Sequence, residues 1–177
     1  ATVEGEIEVE DDGTYPVNFP KNTTATRTDR KLNSVSLSAA SGEKQTLNVT
    51  GSKVYNDLTT KESNYLKCQP GESLTAEFSY TGTWMHGYVF IDENNDKQFS
   101  FVEGSTDQSN TEVKSFSFYS GDFNDSASGY NSAGTRLTGN SRNTMACPSF
   151  QAPAEPGNYR IRFKVDWNSI DPGGQLA

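Results

Sequence analysis

Apolar residues along this chain fall in short alternating runs separated by Gly, Asn, Asp and Pro. The last run is the clearest. Tyr159, Ile161, Phe163, Val165 and Trp167 share one face of a strand and Arg160, Arg162, Lys164 and Asp166 the other, so the first set, Trp167 included, is the expected core face. Leu74, Ala76, Phe78 and Tyr80 alternate with Thr75, Glu77 and Ser79, and Phe116 and Phe118 alternate with Ser115 and Ser117. From Tyr88 to Ile91 both faces are apolar, as in a strand covered on both sides. Further strands are expected near 32–37, 46–50 and 53–58. No window of a dozen residues has an apolar period of 3.6, so helix content should be small. The pattern predicts an all-β, antiparallel two-sheet β-sandwich of jelly-roll type over residues 31–177, with a Greek-key barrel as second choice. Residues 1–30 precede it. Val3, Ile7 and Val9 alternate with glutamates, which reads as an acidic edge strand or an acidic linker; the polar stretch after them, with Pro16 and Pro20, reads as an extended lead-in.

Composition changes the picture in one respect. Only 32% of the 177 residues are hydrophobic and the mean hydropathy is -0.74, values that suit a solvated chain. The 10 Phe, 8 Tyr and 2 Trp argue instead for an aromatic core with large polar loops. The net charge of -8 is unevenly placed: six acids and no base lie in the first dozen residues. With 15 Lys and Arg against 23 Asp and Glu and no basic run, nucleic acid is not an expected partner. No apolar run is long enough to insert in a membrane. Nor does the sequence open on a signal-peptide hydrophobic segment, so an exported form is expected to have had it removed.

The sharpest chemical signal runs from Asp92 to Glu103. Side-chain oxygens at Asp92, Asn94 and Asp96, a main-chain carbonyl at Gln98 and the carboxylate of Glu103 follow the spacing of a loop that wraps a hard cation, so calcium is the expected cofactor. Lys97 stands where such a loop normally has Gly, and the segment before it reads as strand, so this is no helix-loop-helix hand. A polar hairpin turn is the alternative. Cys68 and Cys147 lie far apart and lack metal-type spacing, which points to a disulfide in an exported chain. That bridge would close about 80 residues and stabilise the fold by roughly 4 kcal/mol.

Catalytic constellations are thin. The single His86 rules out a multi-histidine metal site, there is no G-x-S-x-G elbow, and no phosphate-cradling glycine loop occurs. Binding fits better. Aromatic faces stack on sugar rings while amides and guanidinium groups bond the hydroxyls, and the candidates are Trp84, Tyr119, Tyr130, Arg136, Arg142, Asn124 and Asn131. Most stand in the Gly- and Asn-rich stretch 120–146, which has no strand pattern and reads as a binding loop or a disordered one.

Several motifs together resemble a known family. Val54-Tyr55-Asn56-Asp57, Cys68-Gln69-Pro70-Gly71-Glu72-Ser73-Leu74, Trp84 through Phe99 with Ile91-Asp92-Glu93-Asn94-Asn95-Asp96, and Pro156-Gly157-Asn158-Tyr159-Arg160-Ile161-Arg162-Phe163 look like a GEVED-type domain. That family runs from a proline-glycine strand start through an "ID-x-N-x-D-G-x-F" loop to a "G-x-Y-R-x-R" final strand. The likeness covers roughly residues 50–170, with Lys97 in place of the loop glycine and the acidic motif that names the family not intact. The ending from Asp166 to Gly174 is similar to that of accessory modules in secreted, multimodular bacterial glycosidases. The resemblance implies a non-catalytic, extracellular or cell-surface module attached to a larger protein, stabilised by metal at Asp92, Asn94 and Asp96 and of a kind often suspected of binding glycans; the near-neutral charge of the chain outside its acidic leader and this loop makes a neutral or mildly acidic glycan the expected partner. The competing expectation is a structural spacer or protein-adhesion domain without a sugar site.

Overall fold

A computed structural model describes residues 15–104, 107–118, 131–135, 143–167 and 169–175. The strands are β1 (Lys31–Ala39), β2 (Lys44–Asn48), β3 (Ser73–Thr81), β4 (His86–Ile91), β5 (Val113–Phe118), β6 (Thr144–Ala146), β7 (Phe150–Gln151) and β8 (Ile161–Asp166). They form two antiparallel sheets, one ordered β2-β1-β3-β6 with β7 also on β3, the other β5-β4-β8. The all-β sandwich is as expected, although these strand orders do not establish jelly-roll winding. The one helical turn among the described residues is a 3-10 turn, Glu62–Asn64. Residues 53–58 do not form the expected strand and contribute an isolated bridge, Thr24 to Lys53. β6 and β7 follow one edge of β3 as two fragments interrupted around Pro148, which has no N–H to give a ladder.

The main core lies between the sheets. Val35 and Leu37 of β1 and Leu74, Ala76, Phe78 and Tyr80 of β3 meet Val89 and Ile91 of β4 and the partly buried Ile161, Phe163 and Val165 of β8. Gly87 is needed here for space: a Cβ on it would stand 2.6 Å from the Phe78 ring and from Met145 Sδ. A second cluster covers the outer face of the three-stranded sheet, with Tyr88, Phe90, Phe99, Val113 and Ile170 buried and Tyr15 packed against them. Both faces of β4 are therefore covered, which is why its sequence is apolar without alternation.

The charged face of β8 is not left to water either. Arg160 lies over the Tyr15 ring at 4.5 Å, Arg162 over Phe99 at 4.9 Å and Lys164 over Tyr88 at 5.3 Å. Burial lowers the pKa of both Arg162 and Lys164, and carbonyls of Pro16 and Pro172 for the first, and of Asp171 for the second, accept their protons. The alternation of β8 is thus one between an aliphatic face and a cation–π face.

Candidate functional site

The loop after β4 gathers carboxylates. Asp92, 0% exposed, accepts the Tyr15 O–H at 2.6 Å and the N–H groups of Lys97 at 3.0 Å and Asp96 at 3.3 Å. Glu112 is also buried and accepts the N–H of Glu93 at 2.6 Å and of Ser100 at 2.9 Å. One oxygen from each of Asp92, Asp96 and Glu112 lies within 4.8 Å of the others, a set that can hold a metal ion. Burial, with the bond to Asp92, raises the Tyr15 phenol pKa above its ordinary value, keeping it a donor.

This group differs from the expected ligand set. Glu103, the twelfth position of the loop, is exposed and is not in it. Its place is taken by Glu112, which the β4–β5 ladder brings in through the Ile91 N–H to Glu112 carbonyl bond. Asn94 stays adjacent, its amide carbonyl accepting the Asp96 N–H at 3.2 Å. Gln98 is exposed and its N–H bonds Asp96 at 2.9 Å.

The glycine missing from the loop leaves a measurable trace. Lys97 has φ of 64°, a left-handed conformation that costs a residue with a Cβ about 1 kcal/mol. Lys97→Gly is therefore expected to stabilise the protein by about 0.5–1 kcal/mol, part of the gain being offset by the freer unfolded chain. Urea denaturation checks this; a lower midpoint at unchanged slope would contradict it.

A second feature stands at the end of the sandwich where β3 turns into β4. Trp84, in that turn, is 57% exposed, with φ of 59°. Trp167 is 46% exposed, against its expected place in the core. The reason is local: the Asp166 carboxylate accepts the Trp167 N–H, the strand stops, and the indole turns outward under Arg30, whose guanidinium is 3.9 Å from the ring centre. The His86–Asp166 register pair puts Met85 and Trp167 next outward on neighbouring strands, so both tryptophans belong to one end of the sheet. Phe118, opposite His86, and Asn143, whose carbonyl accepts the Tyr80 N–H, lie at this same end. Tyr119, Asn124, Tyr130, Arg136 and Arg142 lie outside the described residues. Asn131 is within them, but its side chain accepts the N–H groups of Ala133 and Thr135 and so shapes its own turn.

His86 sits beneath this end. Burial pushes its pKa below the ordinary value, against opposing contributions from the Trp167 backbone and Asp166. The folded protein therefore resists a proton that the unfolded chain accepts below about pH 6.5, and stability contributed above that pH is lost on acidification. A His86→Gln chain should lose less stability than the native one between pH 7.5 and 5.5 in paired urea titrations. Equal losses would refute the assignment.

The expected disulfide is not formed. Cys147 is a buried free thiol and Cys68 a partly buried one. Cys147 belongs to the main core and Cys68 packs against it. Burial pushes the Cys147 pKa up to about 12, although Ser115 and Ser117 bond it, and raises that of Cys68 as well, so neither is a poised thiolate. Among the described residues no helix is long and apolar enough to cross a membrane. No protein-family model, curated protein or solved structure matches the chain. The fold and geometry define a class: a two-sheet antiparallel sandwich with a buried carboxylate group beside its central strand and two open tryptophans at one end.

Proposed function

We propose that this protein is a non-catalytic carbohydrate-binding module that holds a glycan at the tryptophan end of the sandwich. The observation carrying the proposal is the pair of exposed indoles, Trp84 and Trp167, at one end of the three-stranded sheet. Large aromatic faces left in water are costly and suit the C–H faces of sugar rings. Arg30 holds one face of Trp167, which fixes the ring and leaves the other face for a ligand. Tyr119, Tyr130, Arg136 and Arg142, outside the described residues, remain the sequence's candidates for further contacts to the glycan. The GEVED-like motifs support an extracellular module of a larger glycan-degrading protein, for which tethering makes weak affinity sufficient.

Calcium at the Asp92–Asp96–Glu112 group is the structural part of the same proposal. Two buried carboxylates this close repel one another, and a hard cation with oxygen ligands relieves that repulsion. A glycan array, read with calcium and with chelator, tests the function. The expected result is a bound neutral or mildly acidic glycan, with affinity reduced at least about tenfold by Trp84→Ala and by Trp167→Ala. Silence across neutral, sialylated and sulfated glycans would favour a spacer or adhesion domain.

A further inference from the structure

Among the described residues β8 has a neighbouring strand on one side only. The Asp92 N–H bonds the Arg160 carbonyl, and Ile91 stands opposite Ile161, so the even-numbered residues of β8 turn their main-chain groups to β4. In an antiparallel ladder the N–H and C=O groups of Ile161, Phe163 and Val165 then point away from the sheet. Among the described residues these groups have no main-chain partner. Such an edge invites another strand.

A cleft of about 1610 Å³ runs along this edge, bounded on its far side by segments from 23–30 and 51–68. Its inner wall is apolar, formed by Leu32, Val35 and Leu47 together with Ile161, Phe163 and Val165. Pockets for compact small molecules span roughly 300–1,000 Å³, so this volume suits an elongated occupant. The lining holds eight Lys and Arg against three Asp and Glu, in a chain whose net charge is -8. The matching occupant is an extended segment that alternates apolar and acidic residues.

The chain itself contains that segment in Val3-Glu4-Gly5-Glu6-Ile7-Glu8-Val9-Glu10. We propose that residues 3–10 complete the three-stranded sheet in the same molecule, as a strand antiparallel to β8. These residues lie outside the described part of the chain; the edge, the cleft and its charge lie within it. Direction follows from Tyr15, whose ring is under Arg160 at the start of β8 and whose hydroxyl bonds Asp92. A strand leading into that point runs from the Asp166 end toward the Arg160 end, and Asp11-Asp12-Gly13-Thr14 spans the return to the outer face. Register follows from period two: Val3, Ile7 and Val9 join the inward face of Ile161, Phe163 and Val165, which places the glutamates on the face of Arg160, Arg162 and Lys164. The acidic run is then the counter-charge of the cleft.

Hydrogen exchange on the full chain, resolved by residue, tests this. The amides of Ile161, Phe163 and Val165 should be as protected as those of Arg162 and Lys164, which face β4. Ile7→Asp should speed exchange at the three outward amides by on the order of 100-fold while the β4-facing amides keep their protection, which also shows that the variant is folded. Ile7→Val should leave both sets unchanged. Fast exchange at Ile161, Phe163 and Val165 in the native chain overturns the proposal, as does protection that Ile7→Asp leaves intact. Protection that appears only in a dimer and disappears on dilution assigns the strand to a second copy and overturns the intramolecular form.

Discussion

Asp92→Ala is expected to lower the unfolding free energy by about 3–5 kcal/mol in calcium-free buffer. The carboxylate is fully buried and collects the Tyr15 hydroxyl and the Lys97 and Asp96 N–H groups. Removing it leaves these three donors without the acceptor that gathers them. Each orphaned buried donor costs about 1–3 kcal/mol, and the relief of repulsion from Glu112 only partly offsets that. Asp92→Asn keeps the shape and one acceptor, so its cost in the same buffer should be smaller, while its response to metal should vanish. Saturating calcium should raise native stability by about 2.7 kcal/mol at one hundred times the dissociation constant and leave the Asn variant unmoved. Urea titrations with and without calcium separate the two contributions. A native midpoint indifferent to both calcium and chelator would remove the ion from the account but leave the Asp92→Ala expectation standing.

Phe78→Ala should be as damaging, by about 3–5 kcal/mol. Its ring is 0% exposed, meets Phe163 edge to face at 5.9 Å and lies against the bare backbone of Gly87, so this one side chain of β3 ties the first sheet to both β4 and β8. Gly87→Ala inserts a methyl where Phe78 and Met145 already stand, at a cost of about 1–3 kcal/mol. The two changes share a volume, and the double variant should lose less than the sum of the singles because the cavity left by Phe78 admits the methyl. Thermal and urea unfolding of the four proteins completes the cycle; strict additivity would show that the ring and the glycine do not share that contact.

The tryptophan end and the acidic loop differ in how far local sequence could reveal them. That Asp92 and Asp96 come together was legible because loop spacing is a local property: a tight turn brings back to one place the side chains it spaces a few residues apart. Glu112 was not legible, since it lies twenty residues from Asp92 and reaches it only through the β4–β5 ladder. The Lys97 anomaly was visible as a missing glycine, and its strained φ is the matching structural mark. Trp84 was legible as a candidate only by residue type, and its exposure was decided by the turn between β3 and β4.

Period-two alternation identified β3 and β8 because each has one face against the core, and it identified β4 by the absence of alternation because both its faces are covered. It missed β6 and β7, which at three and two residues are too short to show a period and exist as strands through the edge of β3. It misled at 53–58, where Val54 is exposed and Tyr55 turns to Arg162 and Lys21. It misled again at Trp167, where the pattern ran one residue past the point at which Asp166 ends the strand. Which residues are sheet-forming, and which face of each strand is apolar, was settled by the order of side chains, because a pleated strand exposes alternate residues wherever it lies. Which strand neighbours which, which distant carboxylate joins Asp92, and that the cations of β8 rest on aromatic rings were settled only by folding, because each depends on contacts between segments whose separation no local pattern encodes.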